Sequence, residues 1–158
     1  MSTNVQVAVR CRPMSSRELA RGCGTIIEIN DNSVHVEGAE GHESKDFTFD
    51  HAYFTESTQD QVYQDIGAPV VLKALDGFNC TIFAYGQTGS GKSFSMMGAL
   101  PDMPGIIPKL NNNLWESIQK KKDGQIGNAE VDGKTDFMIT VSFLEIYNEE
   151  IKDLLNPR

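Results

Sequence analysis

Cysteine, tryptophan and basic charge are all scarce in this sequence. The 158 residues hold three Cys (Cys11, Cys23, Cys80), one Trp and three His. No CxxC pair occurs, and no His-rich cluster accompanies the cysteines. This argues against a zinc site and for a reducing compartment. Fourteen Lys and Arg stand against 22 Asp and Glu, a net charge of −8. A balance of that sign gives no whole-chain electrostatic footprint for nucleic acid or anionic lipid. No apolar run approaches the ~18 residues that a membrane span needs. Met1-Ser2-Thr3-Asn4 places no basic segment before an apolar one, so no secretory signal is expected. What the chain does have is a globular composition, 39% hydrophobic with eight Phe and four Tyr. One domain with a real core is the expectation at this length.

Periodicity places the elements. Val5, Val7, Val9 and Cys11 alternate with polar or small residues, which predicts a first strand ended by Pro13. Ser15–Gly24 reads as a loop or short helical turn. Ile26–Ile29 and Val34–Val36 flank Asn30-Asp31-Asn32-Ser33 and predict a hairpin. Gly38–Ser44 is a loop, and Phe47 and Phe49 mark another strand. Thr58 with Gln61 fits a capping box for a helix running to Gly77, with Pro69 kinking or splitting it. Cys80–Tyr85, short and apolar, predicts a strand buried on both faces. Lys92–Met97 begins a helix, Gly98–Gly105 interrupts it, and Ile107, Leu110, Leu114 and Ile118 mark a second stretch with Pro108 in its first turn. A polar surface loop over 120–135 leads to a long strand from Phe137 to near Tyr147. Glu149–Leu155 fits a helical turn or a short strand. This order of strands and helices is α/β.

Gly86-Gln87-Thr88-Gly89-Ser90-Gly91-Lys92-Ser93 matches G-x-x-x-x-G-K-[ST], the phosphate-binding loop. Glycines let successive backbone N–H groups converge on one anion. The following helix adds free N–H groups and its positive end. Lys92 is a flexible point charge for the β- and γ-phosphates, and Ser93 offers a small oxygen to Mg²⁺. A chance match in a chain of this size has odds on the order of a per cent.

Other residues keep two readings open. Arg10 and Arg12 share a face of the first strand beside Pro13; they are solvated strand-end arginines or a flat edge that packs against a base. Phe94 is a core aromatic or a ring that stacks on that base. Asp50, ending Phe47-Thr48-Phe49, is the nearest candidate for a carboxylate behind Mg²⁺, although it precedes the loop and no glycine follows it. Glu145 reads as structural. His35, His42 and His51 lack ligand spacing. Lys120-Lys121-Lys122 reads as a solvated helix end. Glu149, Glu150 and Asp153 read as soluble surface. The phosphate cradle is present without a visible hydrolytic apparatus.

The stretch Phe83-Ala84-Tyr85 followed by Gly86–Ser93 resembles the phosphate loop of kinesin motor domains. Val7-Ala8-Val9-Arg10-Cys11-Arg12-Pro13 is similar to that family's first strand and its Arg-x-Arg-Pro nucleotide motif. Phe47–Asp50, Gln61-Val62-Tyr63, Gly105-Ile106-Ile107-Pro108 and Leu144–Glu149 follow in family order. Lys92-Ser93, Met96-Met97-Gly98 and Asp153-Leu154-Leu155-Asn156-Pro157 lean towards the kinesin-3 class. The resemblance implies a P-loop NTPase with a central mixed, mostly parallel sheet flanked by helices. It implies ATP/ADP and Mg²⁺: Gly86, Gln87, Thr88, Gly89, Ser90, Gly91, Lys92 and Ser93 on the phosphates, Ser93 on the metal. Arg10, Arg12, Pro13 and Phe94 would surround the adenine. Phe94 departs from the commoner His or Tyr but keeps a ring.

The family's switch motifs, Asn-x-x-Ser-Ser-Arg-Ser-His and Asp-Leu-Ala-Gly-x-Glu, occur nowhere in the 158 residues. The resemblance places them, the main microtubule-binding elements and the neck linker after position 158. Residues 1–158 are therefore expected to be the nucleotide-binding part of a motor domain, its sheet incomplete on the C-terminal side and without catalytic residues of its own. A complete motor would be a microtubule-stimulated ATPase, cytoplasmic and on the cytoskeleton, with a coiled coil elsewhere. Its partners would be tubulin, reached through that C-terminal part, and other kinesin chains; no nucleic acid or membrane span enters. The alternative is a short, non-hydrolysing nucleotide- or partner-binding module whose open sheet edge another chain completes.

Overall fold

Residues 5–123 and 136–156 are described by the structure, a computed structural model. Met1–Asn4, the 124–135 part of the expected loop, and Pro157 with Arg158 lie outside the described residues. Two compact units divide the chain, Met1–Trp115 and Glu116–Arg158.

In the first unit, β1 (Ala8–Arg10) pairs in parallel with β5 (His51–Tyr53), Arg10 opposite Tyr53. The Cys11 N–H extends the pairing to the Tyr53 carbonyl at 2.8 Å. β1 is shorter than the alternation predicted, and Val5 and Val7 are exposed. Between these strands comes α1 (Ser16–Ala20), opened by a complete capping box between Ser15 and Glu18. A three-stranded antiparallel sheet follows: β2 (Ile27–Asn30), β3 (Ser33–Val36) and β4 (Lys45–Thr48), in that order. The expected hairpin and the Phe47 strand are both here. Val34 is buried, and the Phe47 and Phe49 rings stack 6.4 Å apart.

The helix expected from Thr58 to Gly77 is split. α2 (Gln59–Val62) starts at Thr58, whose hydroxyl accepts the Gln61 N–H at 3.1 Å. A π-helical turn over Tyr63–Gly67 then joins α3 (Ala68–Leu75). Pro69 accounts for the wide turn, because it cannot donate to Asp65 and its ring would strike that carbonyl. The Tyr63 ring lies against Gly67 where a Cβ would sit, so only glycine fits there. Tyr53, Val62 and Ile106 form the core cluster, with Ile66, Ile82 and Met96 packed on it. Burial pushes the Tyr53 phenol above its usual pKa, and the hydrogen bond that it donates to Asp65 adds to this.

α4 (Lys92–Met96) follows the glycine-rich loop. A two-residue ladder, β6 (Gly98–Ala99) with β7 (Met103–Pro104), occupies the segment read as a loop. Its Leu100-Pro101 bond is cis. α5 (Ile106–Lys122) carries Pro108 in its first turn and the three lysines in its last, and the boundary between the two units falls within it.

One expected strand fails and another is cut short. Residues 80–85 form no strand among the described residues; Phe83 is 83% exposed and Tyr85 90%. A strand buried on both faces needs ladder neighbours on both edges, and none pairs here. Ile82 alone reaches the core. In the second unit the strand expected from Phe137 to near Tyr147 is short: residues 136–143 form no strand, and only β8 (Leu144–Tyr147) does. The Phe143 carbonyl extends its pairing by accepting the Leu154 N–H at 2.8 Å. β8 pairs with β9 (Glu150–Asp153) through Asn148 and Glu149, both at positive φ as a two-residue hairpin turn requires. Glu145 faces Lys152 across the ladder, in line with a structural role.

Truncating Ile106→Ala empties part of the core and is expected to lower stability by about 2–4 kcal/mol, read by urea denaturation. His35 bonds Asp46 across β3 and β4 at 2.7 Å, chiefly by a side-chain hydrogen bond that raises the imidazole pKa above 6.5. A raised pKa means that the protonated pair contributes fully below pH 6.5 and is lost as pH climbs through the folded value. The urea midpoint should therefore fall between pH 6 and 8 in the native chain, and fall less in His35→Gln.

Candidate functional site

Three glycines shape the loop before α4. Gly86, Gly89 and Gly91 have φ of 151°, 80° and 99°, values that L-residues rarely adopt. Gly91 caps α4 in the left-handed conformation. The Ser90 N–H donates to the Gln87 carbonyl at 3.1 Å and closes the turn. Lys92 reaches back over the loop, donating to the carbonyls of Gly86 at 2.6 Å and Gln87 at 2.9 Å. Its ammonium therefore sits at the mouth of the turn with a third N–H in hand. Ser93 is exposed at the second position of α4. Its hydroxyl is the hard, neutral oxygen that Mg²⁺ takes beside phosphate oxygens and water, so the donor set fits that ion.

Beside the loop opens a cleft of about 540 Å³. Arg10, Arg12, Pro13, Ser90, Gly91 and Phe94 all line it. The sequence-predicted base-side residues are thus brought together next to the end of the glycine-rich loop. Gly86, Gln87, Thr88, Gly89, Lys92 and Ser93 shape the loop itself and do not line the cleft.

Arg10 and Arg12 do different jobs. Arg10 is partly buried; its guanidinium donates to Gln59 Oε1 at 2.7 Å, the Ser57 carbonyl at 3.1 Å and Ser95 Oγ at 3.1 Å. It also lies 5.3 Å from the centroid of the Phe94 ring, a cation–π contact. Burial lowers its pKa. Arg12 lies past the end of β1 and is more open. Its Nε donates to the Gly89 carbonyl at 2.8 Å, and its two Nη atoms grip Glu18 at 2.7 and 2.8 Å. The hydrogen bond from Arg12, then those from Ser15, hold the Glu18 carboxyl far below the usual carboxylate range.

Asp50 lies outside the cleft. Its carboxylate accepts the Val7 N–H at 2.7 Å and ties β1 to the β5 end, away from the cleft. His51 stacks on Tyr53 at 6.1 Å, and no group of three metal-ligating side chains occurs among the described residues. Gln59 is a cleft residue whose place the sequence did not reveal. It is buried, accepts from Arg10 and donates through Nε2 to the Phe94 carbonyl at 2.6 Å. An amide in a helix's first turn carries no motif; its role comes from what folds against it. The pair of Lys109 and Asp60, joining α5 to α2 at the cleft wall, is equally silent in sequence.

A sequence model of the kinesin motor domain matches residues 10–158. This chain belongs to the kinesin motor family. Kinesin-related protein 1 of Dictyostelium discoideum is 41% identical over 98% of the chain, which covers 8% of that protein. Kinesin-like protein unc-104 of Caenorhabditis elegans is 39% identical over 98% of the chain, which covers 10% of it. Unc-104 is a kinesin-3 protein, the class towards which the motifs lean. Among solved structures, KIF14 with ADP in complex with a microtubule superimposes with a TM-score of 0.76 at 34% identity. That match covers 98% of this chain and 42% of the KIF14 chain. The α/β kinesin fold holds for this chain, while the parallel sheet is represented by β1 and β5 among the described residues. The chain thus spans about a tenth of the length of these curated kinesins.

Replacing Gln59→Met leaves the Phe94 carbonyl and the Arg10 guanidinium each short of a partner. Stability should fall by about 1–3 kcal/mol in a urea titration, the range for buried groups left unsatisfied.

Proposed function

We propose that residues 1–158 are the nucleotide-binding part of a kinesin-type microtubule motor. The observation that carries this is the junction of the glycine-rich loop and Lys92 with a cleft walled by Arg10, Arg12, Pro13 and Phe94. ATP or ADP would lay its phosphates along Gly86–Ser93 and its adenine between Arg12, Pro13 and the Phe94 ring. Ser93 would hold Mg²⁺, which when bound neutralises phosphate charge. Lys92 would exchange its bonds to Gly86 and Gln87 for phosphate oxygens, a flexible charge well suited to the move.

Hydrolysis belongs to the complete motor, which would act in the cytoplasm on microtubules and in company with other kinesin chains. The groups that position water and read the γ-phosphate are carried by the two switch motifs, and neither motif occurs in this sequence. This chain by itself therefore binds nucleotide weakly and does not turn it over. The charge of −8 agrees with this division, because tubulin is itself acidic and this part offers no large basic face. A second reading is favoured by the exposed, unpaired apolar segment at 80–85: a non-hydrolysing module completed by another chain. A defined hetero-complex in sedimentation supports it, and self-aggregation of the chain counts against it.

Calorimetric titration of Mg-ADP should show binding that Lys92→Ala weakens at least tenfold, an effect of about 1.4 kcal/mol or more. Steady-state ATPase should stay at background with and without microtubules. Turnover equal to that of a complete motor, and abolished by Lys92→Ala, would overturn the inactivity.

A further inference from the structure

Resting on the nucleotide-binding reading, we propose that Glu18 is a positioning residue of the phosphate loop, acting through Arg12. A loop that gathers N–H groups around an anion must keep its carbonyls turned away from it. The Gly89 carbonyl is held by the Arg12 Nε–H at 2.8 Å. Arg12 is a long side chain, and Glu18 fixes it by accepting from Nη1 at 2.8 Å and Nη2 at 2.7 Å, a fork-to-fork pair. Glu18 is itself fixed. It sits in the first turn of α1, and its carboxylate accepts the Ser15 N–H at 2.6 Å. The chain of contacts runs from the Ser15 cap through Glu18 and Arg12 to the Gly89 carbonyl of the loop.

Donor accounting supports a positioning role. Nη1 also donates to the Pro13 carbonyl at 2.9 Å. Four of the five Arg12 N–H groups are therefore spent within the protein, one at Nε, two at Nη1 and one at Nη2. An arginine so committed serves as a brace on the loop, with little left to clamp a phosphate.

The test separates the ion pair from the helix cap. Glu18→Gln keeps an oxygen for the Ser15 N–H, since Gln also serves in a capping box, but removes the charge that grips Arg12. In the ligand-free chain, hydrogen exchange across residues 86–91 should rise in Glu18→Gln while the thermal midpoint stays within a few degrees. Unchanged exchange overturns the proposal, whatever the chain binds. Calorimetry should then show pyrophosphate weakened about three- to tenfold, and Mg-ADP by at least as much because Arg12 also faces the adenine. A loss confined to ADP would place Arg12 at the base alone and overturn it. Should Glu18→Gln fail to fold, Arg12→Lys, which keeps the charge and loses the fork, gives the same two readouts. Where both fold, the double variant should lose no more than either single one, and additive losses overturn the shared link. Failure of the native chain to bind either probe sinks the nucleotide-binding reading, an outcome that the exchange measurement keeps distinct.

Discussion

The cleft depends on a partly buried guanidinium that no carboxylate meets among the described residues. Arg10 comes from the end of β1 and is satisfied only by neutral groups: the Gln59 amide, the Ser57 carbonyl, the Ser95 hydroxyl and the Phe94 ring. These partners come from the approach to α2, its first turn, and α4. An arginine stays charged even where burial lowers its pKa, so each partner lost leaves part of a half-buried charge unpaired. The cost of that failure locks β1, α2 and α4 into one arrangement, and the cleft is the space left between them. Gln59 tightens the lock, because the amide that accepts from Arg10 also donates to the Phe94 backbone.

Arg12, two residues on, shows why a motif is only a partial guide. The alternation of the first strand puts both arginines on one flat edge. In the structure β1 stops at Arg10, and Arg12 turns to the loop and to Glu18 instead. Both line the cleft, yet Arg10 bonds Gln59, Ser57 and Ser95 in its walls while Arg12 bonds the Gly89 carbonyl and Glu18. The difference was hidden because neither Gln59 nor Ser95 announces itself in sequence. Glu18 went unread as well: Ser15–Gly24 was expected only as a loop or short helical turn, and the capping box that Ser15 and Glu18 make there does not foretell the arginine.

Legibility followed the range of the interactions. The β2–β3 hairpin, the Thr58 cap and the start of α5 at Pro108 rest on turn chemistry and caps within a few residues, and these were readable. The π-turn at 63–67 was half readable: Pro69 announced a break, while its form depends on the Tyr63 ring over Gly67. The strand expected at 80–85 was not delivered, and the one expected from Phe137 to near Tyr147 was delivered only over Leu144–Tyr147. Their composition is that of buried strands, but a strand is a relation between two chains of backbone. Among the described residues 80–85 has no ladder neighbour, and 137–143 is joined only at its end, where the Phe143 carbonyl accepts the Leu154 N–H. Hydrophobicity records where a segment would be stable; it does not supply the neighbour.

That failure leaves the loop standing, and the reason is physical. The turn at 86–91 is made by glycine conformations, by Lys92 folding back on two carbonyls, and by Arg12 on a third. None of these is a sheet hydrogen bond. Ile82 before the loop and Met96 after it both pack on the core of Tyr53, Val62 and Ile106, so each flank is anchored through side chains. The cradle can therefore take its shape while the strand leading into it is unpaired. Turnover is a different demand, because it requires groups that follow the γ-phosphate, and these must be carried on elements that move with it. Under the proposed reading, holding phosphates and acting on them are thus separable demands on this fold; the loop answers the first, and neither switch motif, which would answer the second, occurs in the sequence.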